Sequence, residues 1–310
     1  MLVDPAFEDS VPSTTPPAAP QETAAKLSKV GTPHHSTWLI DTGERLNSAD
    51  GKPIEIWEFR HTADPAILSA WAKHFRNHYC FDTDIDFLRG RTSRKEFLES
   101  LKFPSKTTNL GPSVRAGDFG EILIADYLQW ILGFSVPRVR WNSKIVRDES
   151  SKGSDVIGFR FHDPSGKSPK DRLAVFETKT RFSASSPSNR LQDAITDSAK
   201  DHIRIDESLN YIKQKLYEKG DKAEALKIER FQNPVDLPYQ EIYGAAAIYS
   251  EEHYEAEQIR LSDTKKILKS AKSTESKPHP KRDALVLLVV KGTEMMRLVH
   301  ELYQRAADEA

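Results

Sequence analysis

The sequence predicts an α/β (α+β) protein: a mixed central sheet flanked by helices, preceded by a small α+β module. Three observations predict it. Leu173-Ala-Val-Phe-Glu-Thr-Lys-Thr-Arg181 reads as a buried strand that ends in a carboxylate and a lysine. Residues 242–249 and 284–290 are short, continuous apolar runs, as in strands covered on both faces. Between and around these runs lie helical patterns at 121–132, 187–231 and 294–306, an order that suits a sheet with helices packed against it.

The composition bounds what such a protein does. Its 310 residues allow one or two domains and a substantial core. Its 45 basic and 46 acidic residues leave a net charge of -1. The global basic bias of many nucleic-acid binders is therefore missing, and only a local patch could hold phosphates. A lone cysteine, Cys80, excludes an internal disulfide and a cysteine-based zinc site. No apolar run reaches the roughly 18 residues of a membrane span. The first residues are acidic and proline-rich, unlike a signal peptide. The expectation is a soluble, cytoplasmic chain with no membrane partner.

In chain order, residues 1–35 are rich in Pro, Ser, Thr and Ala and read as a flexible tail. His34-His35 at its end could suggest a metal, but reads as a solvated loop pair. Residues 36–110 form the N-terminal module. Runs at 38–40 and 54–59 make a hairpin through Asp50-Gly51. Asp64 caps a helix with Pro65 at its first position and Ile67, Leu68, Trp71 and Phe75 on one face. Ser93 and Glu96 make a capping box before a helix at 97–103, and a break follows at 104–112. Residues 111–310 form the main domain. Its helix at 121–132 ends at Gly133; a strand candidate at 136–145 carries Pro137; a strand at 155–161 turns through Asp163-Pro-Ser-Gly166 into the strand at 173–181. Helical sequence runs from Pro187 to Phe231, and no internal repeat is visible.

The chemistry concentrates at element ends. An acid and a lysine after an apolar strand are costly to bury without partners. Asp155 begins a neighbouring strand, and Glu121 follows Gly117-Asp-Phe-Gly120 on an apolar helix. Together Asp155, Glu177 and Glu121, the last directly or through water, could hold Mg²⁺ or Mn²⁺, with the carbonyl of Thr178 as a neutral ligand. Lys179 would orient a water and neutralise phosphate charge. Each residue has an ordinary reading beside this one. Asp118 and Glu121 could be the cap and third residue of a helix. Asp155 could be a turn residue, and Glu177 with Lys179 an exposed ion pair.

On these residues the chain resembles the PD-(D/E)xK, or restriction-endonuclease-like, nucleases: Asp155, then Glu177-Thr-Lys179, with Glu121 as the additional helix acid. Ser154 stands where the proline that names the motif would be. More narrowly, Arg115-Ala-Gly-Asp-Phe-Gly-Glu-Ile-Leu123, Lys152-Gly-Ser-Asp-Val-Ile157, Phe176-Glu-Thr-Lys-Thr-Arg-Phe182 and Asp193-Ala-Ile-Thr-Asp-Ser-Ala-Lys-Asp-His202 resemble the nuclease subunit of Hachiman-type antiphage defence (HamA-like, with the related AbpA). The resemblance covers about residues 64 to 205. It implies a restriction-endonuclease-like fold, a Mg²⁺-dependent nuclease acting on DNA, and a superfamily 2 helicase (HamB/AbpB-like) as partner.

Candidate nucleic-acid contacts flank the motif. Arg181, Lys200, His202 and Arg204 lie at or after it, and Arg140 and Lys152 lie before it. Gln192 resembles the helix glutamine that follows the lysine in many such nucleases. A basic run from Lys265 to Arg282 could bind phosphates or form a solvated loop. Asp193, Asp197 and Asp201 are interspersed with these bases, so the chain alone is expected to grip DNA poorly. A partner would then supply the grip, with residues 36–110 as its docking surface. Two other readings stand beside the defence nuclease: a binding subunit that holds DNA or a helicase and does not cleave, and a replication or DNA repair nuclease outside immunity, which shares the chemistry and differs only in biology.

Overall fold

The computed structural model describes residues 31–163, 165–183, 188–268 and 276–310. Residues 1–30 of the expected tail, Pro164, Pro187 and part of the basic run fall outside these.

The central sheet has six strands. β1 (Leu39–Asn47) and β2 (Pro53–Phe59) form the expected antiparallel hairpin. Its turn places Gly51 at φ +83°, in the left-handed region that glycine enters without a Cβ clash. β3 (Val156–Arg160) pairs antiparallel with β4 (Arg172–Arg181), and β4 pairs parallel with β5 (Gln240–Ser250). A separate pair, β6 (Ile267–Leu268) and β7 (Ser276–Lys277), stands apart from the sheet. β8 (Leu285–Gly292) inserts between β5 and β2, parallel to both, giving the order β1-β2-β8-β5-β4-β3. This corrects the expected N-terminal module. Residues 36–110 form no sheet of their own, because the unpaired edge of β2 is completed by the last strand of the chain.

Helices cover both faces. α1 (Pro65–Tyr79), α4 (Gly111–Asp126) and α9 (Met295–Asp308) pack on one side, where Phe75, Phe119 and Leu302 meet Phe176, Ile248 and Val290. α5 (Arg190–Ser198), α6 (Asp201–Glu218) and α7 (Lys222–Ile228) cover the other, where Leu191, Leu209 and Ile228 meet Val175, Ala247 and Val289. Ala247 and Ile248 thus serve opposite cores, which is why this stretch reads as apolar without alternation. Short helices α2 (Asp82–Leu88), α3 (Arg94–Phe97) and α8 (Ala256–Arg260) fill connections. Asp64 caps α1 through its carboxylate, and the Ser93 hydroxyl caps α3, as the sequence predicts.

Two expectations fail in ways that matter for function. α4 starts at Gly111, not near residue 121, because Pro112 opens the helix instead of breaking the chain. Asp118 and Glu121 are therefore interior helix residues and cap nothing. Residues 136–145 form no strand: one isolated bridge joins Ser135 to Phe159, and a 3-10 turn spans Trp141–Ser143. Pro137 removes a ladder donor, and the bases of this segment turn towards α4. Among the described residues no helix is long and apolar enough to cross a membrane.

Candidate functional site

β4 builds the site by alternation. Leu173 and Val175 enter the core under α5 and α6, so Glu177 and Lys179 follow on the same face. The β3–β4 ladder ends at Val156 opposite Phe176, leaving the next residues of β4 unpaired on that edge. Asp155, one residue before β3, takes over: its Oδ2 accepts the Thr178 backbone N–H at 3.0 Å. The lysine ammonium donates to Glu177 Oε1 at 2.6 Å and lies 2.8 Å from Asp197 Oδ2 of α5.

Glu121 arrives from α4. That helix lies against β4 at Gly120, where an added Cβ would fall 2.4 Å from Thr180 Cγ2 and 3.3 Å from Ile248 Cδ1. A side chain there would lift α4 and carry Glu121 away from the sheet. Arg140 joins the two acids. Its Nε donates to Glu121 Oε2 at 2.9 Å, and a terminal nitrogen donates to Asp155 Oδ1 at 2.9 Å. The same guanidinium donates to the carbonyls of Ser151 (2.7 Å) and Ser154 (2.8 Å), which fixes the loop leading into β3.

The three carboxylates are deeply set. Burial is the main cause that pushes Glu121 and Glu177 up, each to about 8, and the nearby Asp155 carboxylate adds to both. Burial disfavours the Lys179 ammonium, but the Asp197 carboxylate beside it helps hold it above its ordinary value, so it stays an ammonium at neutral pH. An oxygen-only donor set suits a hard divalent cation such as Mg²⁺ or Mn²⁺. Here Arg140 already neutralises two of those donors, and Lys179 with Arg204 (3.7 Å) faces the third.

Other sequence-predicted contacts scatter. Lys152 is exposed beside the site, and its carbonyl accepts from Arg140 at 3.3 Å. Arg181 is buried and donates to Ser188 O at 2.8 Å, away from the carboxylates. Gln192 accepts the Asp263 N–H at 2.7 Å and so braces a loop. Lys200 pairs with Asp197 on the helix surface. Thr178 contributes its N–H to Asp155, and its hydroxyl is buried without a hydrogen-bond partner among the described residues.

Sequence reasoning missed the site's outer ring. In the sequence Asp197 and Asp201 stand out only as acids interspersed with bases in the segment 193–202. In the fold Asp197 holds Lys179, and fully buried Asp201 accepts from Ser154 Oγ (2.9 Å) and Arg204 (2.8 Å). The i,i+3 spacing of Asp201 and Arg204 was the available signal. Beside the cluster runs a groove of about 450 Å³, lined by Asp155, Arg140, Lys152, Trp141, Tyr211 and Ile212 among others.

Fold and site define a three-layer α/β/α protein with a buried carboxylate–lysine cluster on β4, where its pairing with the edge strand β3 stops. Residues 33–306 match the HamA family, and the chain belongs to that family. One similar protein is the Hachiman protein HamA of Bacillus cereus, 28% identical over 134 residues, which cover 41% of this chain and 44% of that relative. The chain thus matches less than half the length of this curated relative.

Proposed function

We propose that this protein is a metal-dependent nuclease of the PD-(D/E)xK type, cutting DNA as the effector of a Hachiman antiphage system beside a helicase partner. The observation that carries the reading is the convergence of Asp155, just before β3, with Glu177 and Lys179 of β4 where the β3 ladder stops, and Glu121 joined to them through Arg140. Bound Mg²⁺ or Mn²⁺ would supply Lewis-acid stabilisation of phosphate charge and a water of lowered pKa. Asp155, Glu177 and Glu121 would hold it. Lys179, kept protonated by its acidic neighbours, is suited to pair with a phosphate oxygen or orient a water, and not to accept a proton. Lys152, at the lip of the groove, would meet the phosphate backbone of a strand lying there.

Arg140 gives the second reading its footing. A cluster already neutralised by Arg140, Lys179 and Arg204 is also what a non-catalytic DNA- or helicase-binding subunit would carry. Purified protein incubated with plasmid and Mg²⁺ or Mn²⁺, with and without the helicase, separates the two. Cleavage that is lost in Glu177→Ala supports the nuclease. Unchanged plasmid under every condition, with the wild-type chain folded, supports the binding subunit.

A further inference from the structure

A second polar cluster lies at the far end of α4 and takes no part in the proposed cleavage. Asp126, the last residue of α4, is 1% exposed and is approached by two imidazoles. His35 places Nε2 3.0 Å from Asp126 Oδ2, and His74 of α1 places Nε2 3.1 Å from Asp126 Oδ1. The ligating atoms of all three side chains lie within 4.8 Å of one another. The sequence reading of His34-His35 as a solvated pair is corrected here: His35 is buried, stacked on Trp71 at 5.3 Å. This residue ties the short helix His34–Trp38 to α1 and α4.

We propose that His35, His74 and Asp126 form a zinc site that staples the N-terminal segment to the helical layer. The donor set is the first reason. Two imidazole nitrogens and one carboxylate favour a borderline transition metal over Mg²⁺, in contrast to the all-oxygen cluster around Glu177. Edge lengths are the second. Zinc bonds of roughly 2.0–2.1 Å in a tetrahedron set neighbouring donors about 3.3 Å apart. The imidazole nitrogens lie 3.0 and 3.1 Å from opposite oxygens of the Asp126 carboxylate, and the ligating atoms fall within 4.8 Å of one another, so rotation of the side chains would bring both nitrogens to the edge length of a single oxygen. Access is the third: His74 is 16% exposed, so a water can complete the coordination from that side.

Arg138 is the competitor. It donates to Asp126 Oδ1 at 2.5 Å, to Gln129 Oε1 at 3.0 Å and to His78 Nε2, while His78 Nδ1 donates to the His74 carbonyl at 2.9 Å. A zinc ion shares Asp126 with this guanidinium, so the site should tighten when Arg138 is made neutral.

The test is metal content and thermal stability of the full chain, stripped with a chelator and then dialysed against Zn²⁺ in millimolar Mg²⁺. About one zinc per chain and a raised Tm are expected for wild type and for Glu177→Ala. His74→Ala and the milder His35→Gln should each hold little zinc and show no zinc-dependent rise in Tm, with circular dichroism reporting whether each has folded. Arg138→Gln should bind zinc at least as tightly as wild type. The proposal is overturned if the wild-type chain takes up no zinc. It is equally overturned if zinc persists in folded His35→Gln, or disappears in Glu177→Ala, which would locate the ion on the acidic cluster.

Discussion

The two polar clusters are built by the same device and differ in what completes them. α4 carries three buried acids, and residues 134–155 run back along it with a base for each. Lys144 meets Asp118 at 2.6 Å, Arg140 meets Glu121 at 2.9 Å, and Arg138 meets Asp126 at 2.5 Å. Near Glu121 the neighbouring elements are the start of β3 and the middle of β4, which bring Asp155 and Glu177. Near Asp126 they are α1 and the segment before β1, which bring imidazoles. Pairing with a base makes burial of each acid tolerable, since an unpaired buried charge costs several kcal/mol. The neighbouring element then decides the chemistry: carboxylates and a lysine gather beside Glu121, an all-oxygen acidic set, whereas imidazoles gather beside Asp126.

The largest expected effect would show whether this contrast is one of function. Glu177→Ala and Lys179→Ala should each lower metal-dependent cleavage by about a thousandfold or more while circular dichroism stays native. Wild-type cleavage by either variant would make the acid cluster structural, like its neighbour.

Removing Asp126 should act on stability. Asp126→Ala strands Arg138 in a buried setting and should cost about 3–5 kcal/mol in denaturant unfolding. A loss under about 1 kcal/mol would mean that Arg138 finds water and the cluster holds little together.

The helix that joins both clusters offers a third probe. Gly120→Ala puts a methyl group against Thr180 and should cost about 1–3 kcal/mol through overpacking. It should lower cleavage as well, because Glu121 moves with α4; unchanged stability would show that α4 yields freely.

Arg140→Gln tests competition at the acid cluster. Without the guanidinium, Glu121 and Asp155 have only an amide to share, and the Mn²⁺ concentration for half-maximal activity should fall about tenfold, near 1.4 kcal/mol. A higher requirement would instead assign Arg140 to holding the ligands in place.

The smallest effect is one of pH, and the clusters should differ in sign. In metal-free protein, folded Glu177 keeps a proton up to about 8, whereas unfolded glutamate releases it near 4.5. The folded state binds the extra proton in that window, so stability from this group falls as pH rises from 4.5 to 8. His78 behaves oppositely: burial and Arg138 hold it well below 6.5, so the unfolded chain takes the proton first and stability falls as pH drops below 6.5. Glu177→Gln should therefore gain about 2–4 °C in Tm over wild type at pH 8 and little at pH 5. His78→Gln should gain relative to wild type only on acidification. Parallel profiles would erase the distinction.

Much of this was legible in the chain itself. Strand alternation put Glu177 and Lys179 on one face, the apolar runs marked β5 and β8, and Asp64-Pro65 marked the start of α1, because each signal depends on residues within a turn or two of one another. Asp155 was legible for the same reason, as the polar residue opening a strand. The start of α4 was not, since a proline can end one element or open the next, and only packing against β4 at Gly120 favours the longer helix. Nor could the sequence show that residues 136–145 abandon a strand to pair with α4. His35 and Asp126 lie 91 residues apart, and β2 finds its parallel neighbour in β8 near the other end of the chain. Local pattern determined which residues are chemically unusual. Tertiary structure decided which of them meet, because bringing distant charges together depends on the burial gained by the whole sheet and its two helical layers, and no single stretch carries that sum.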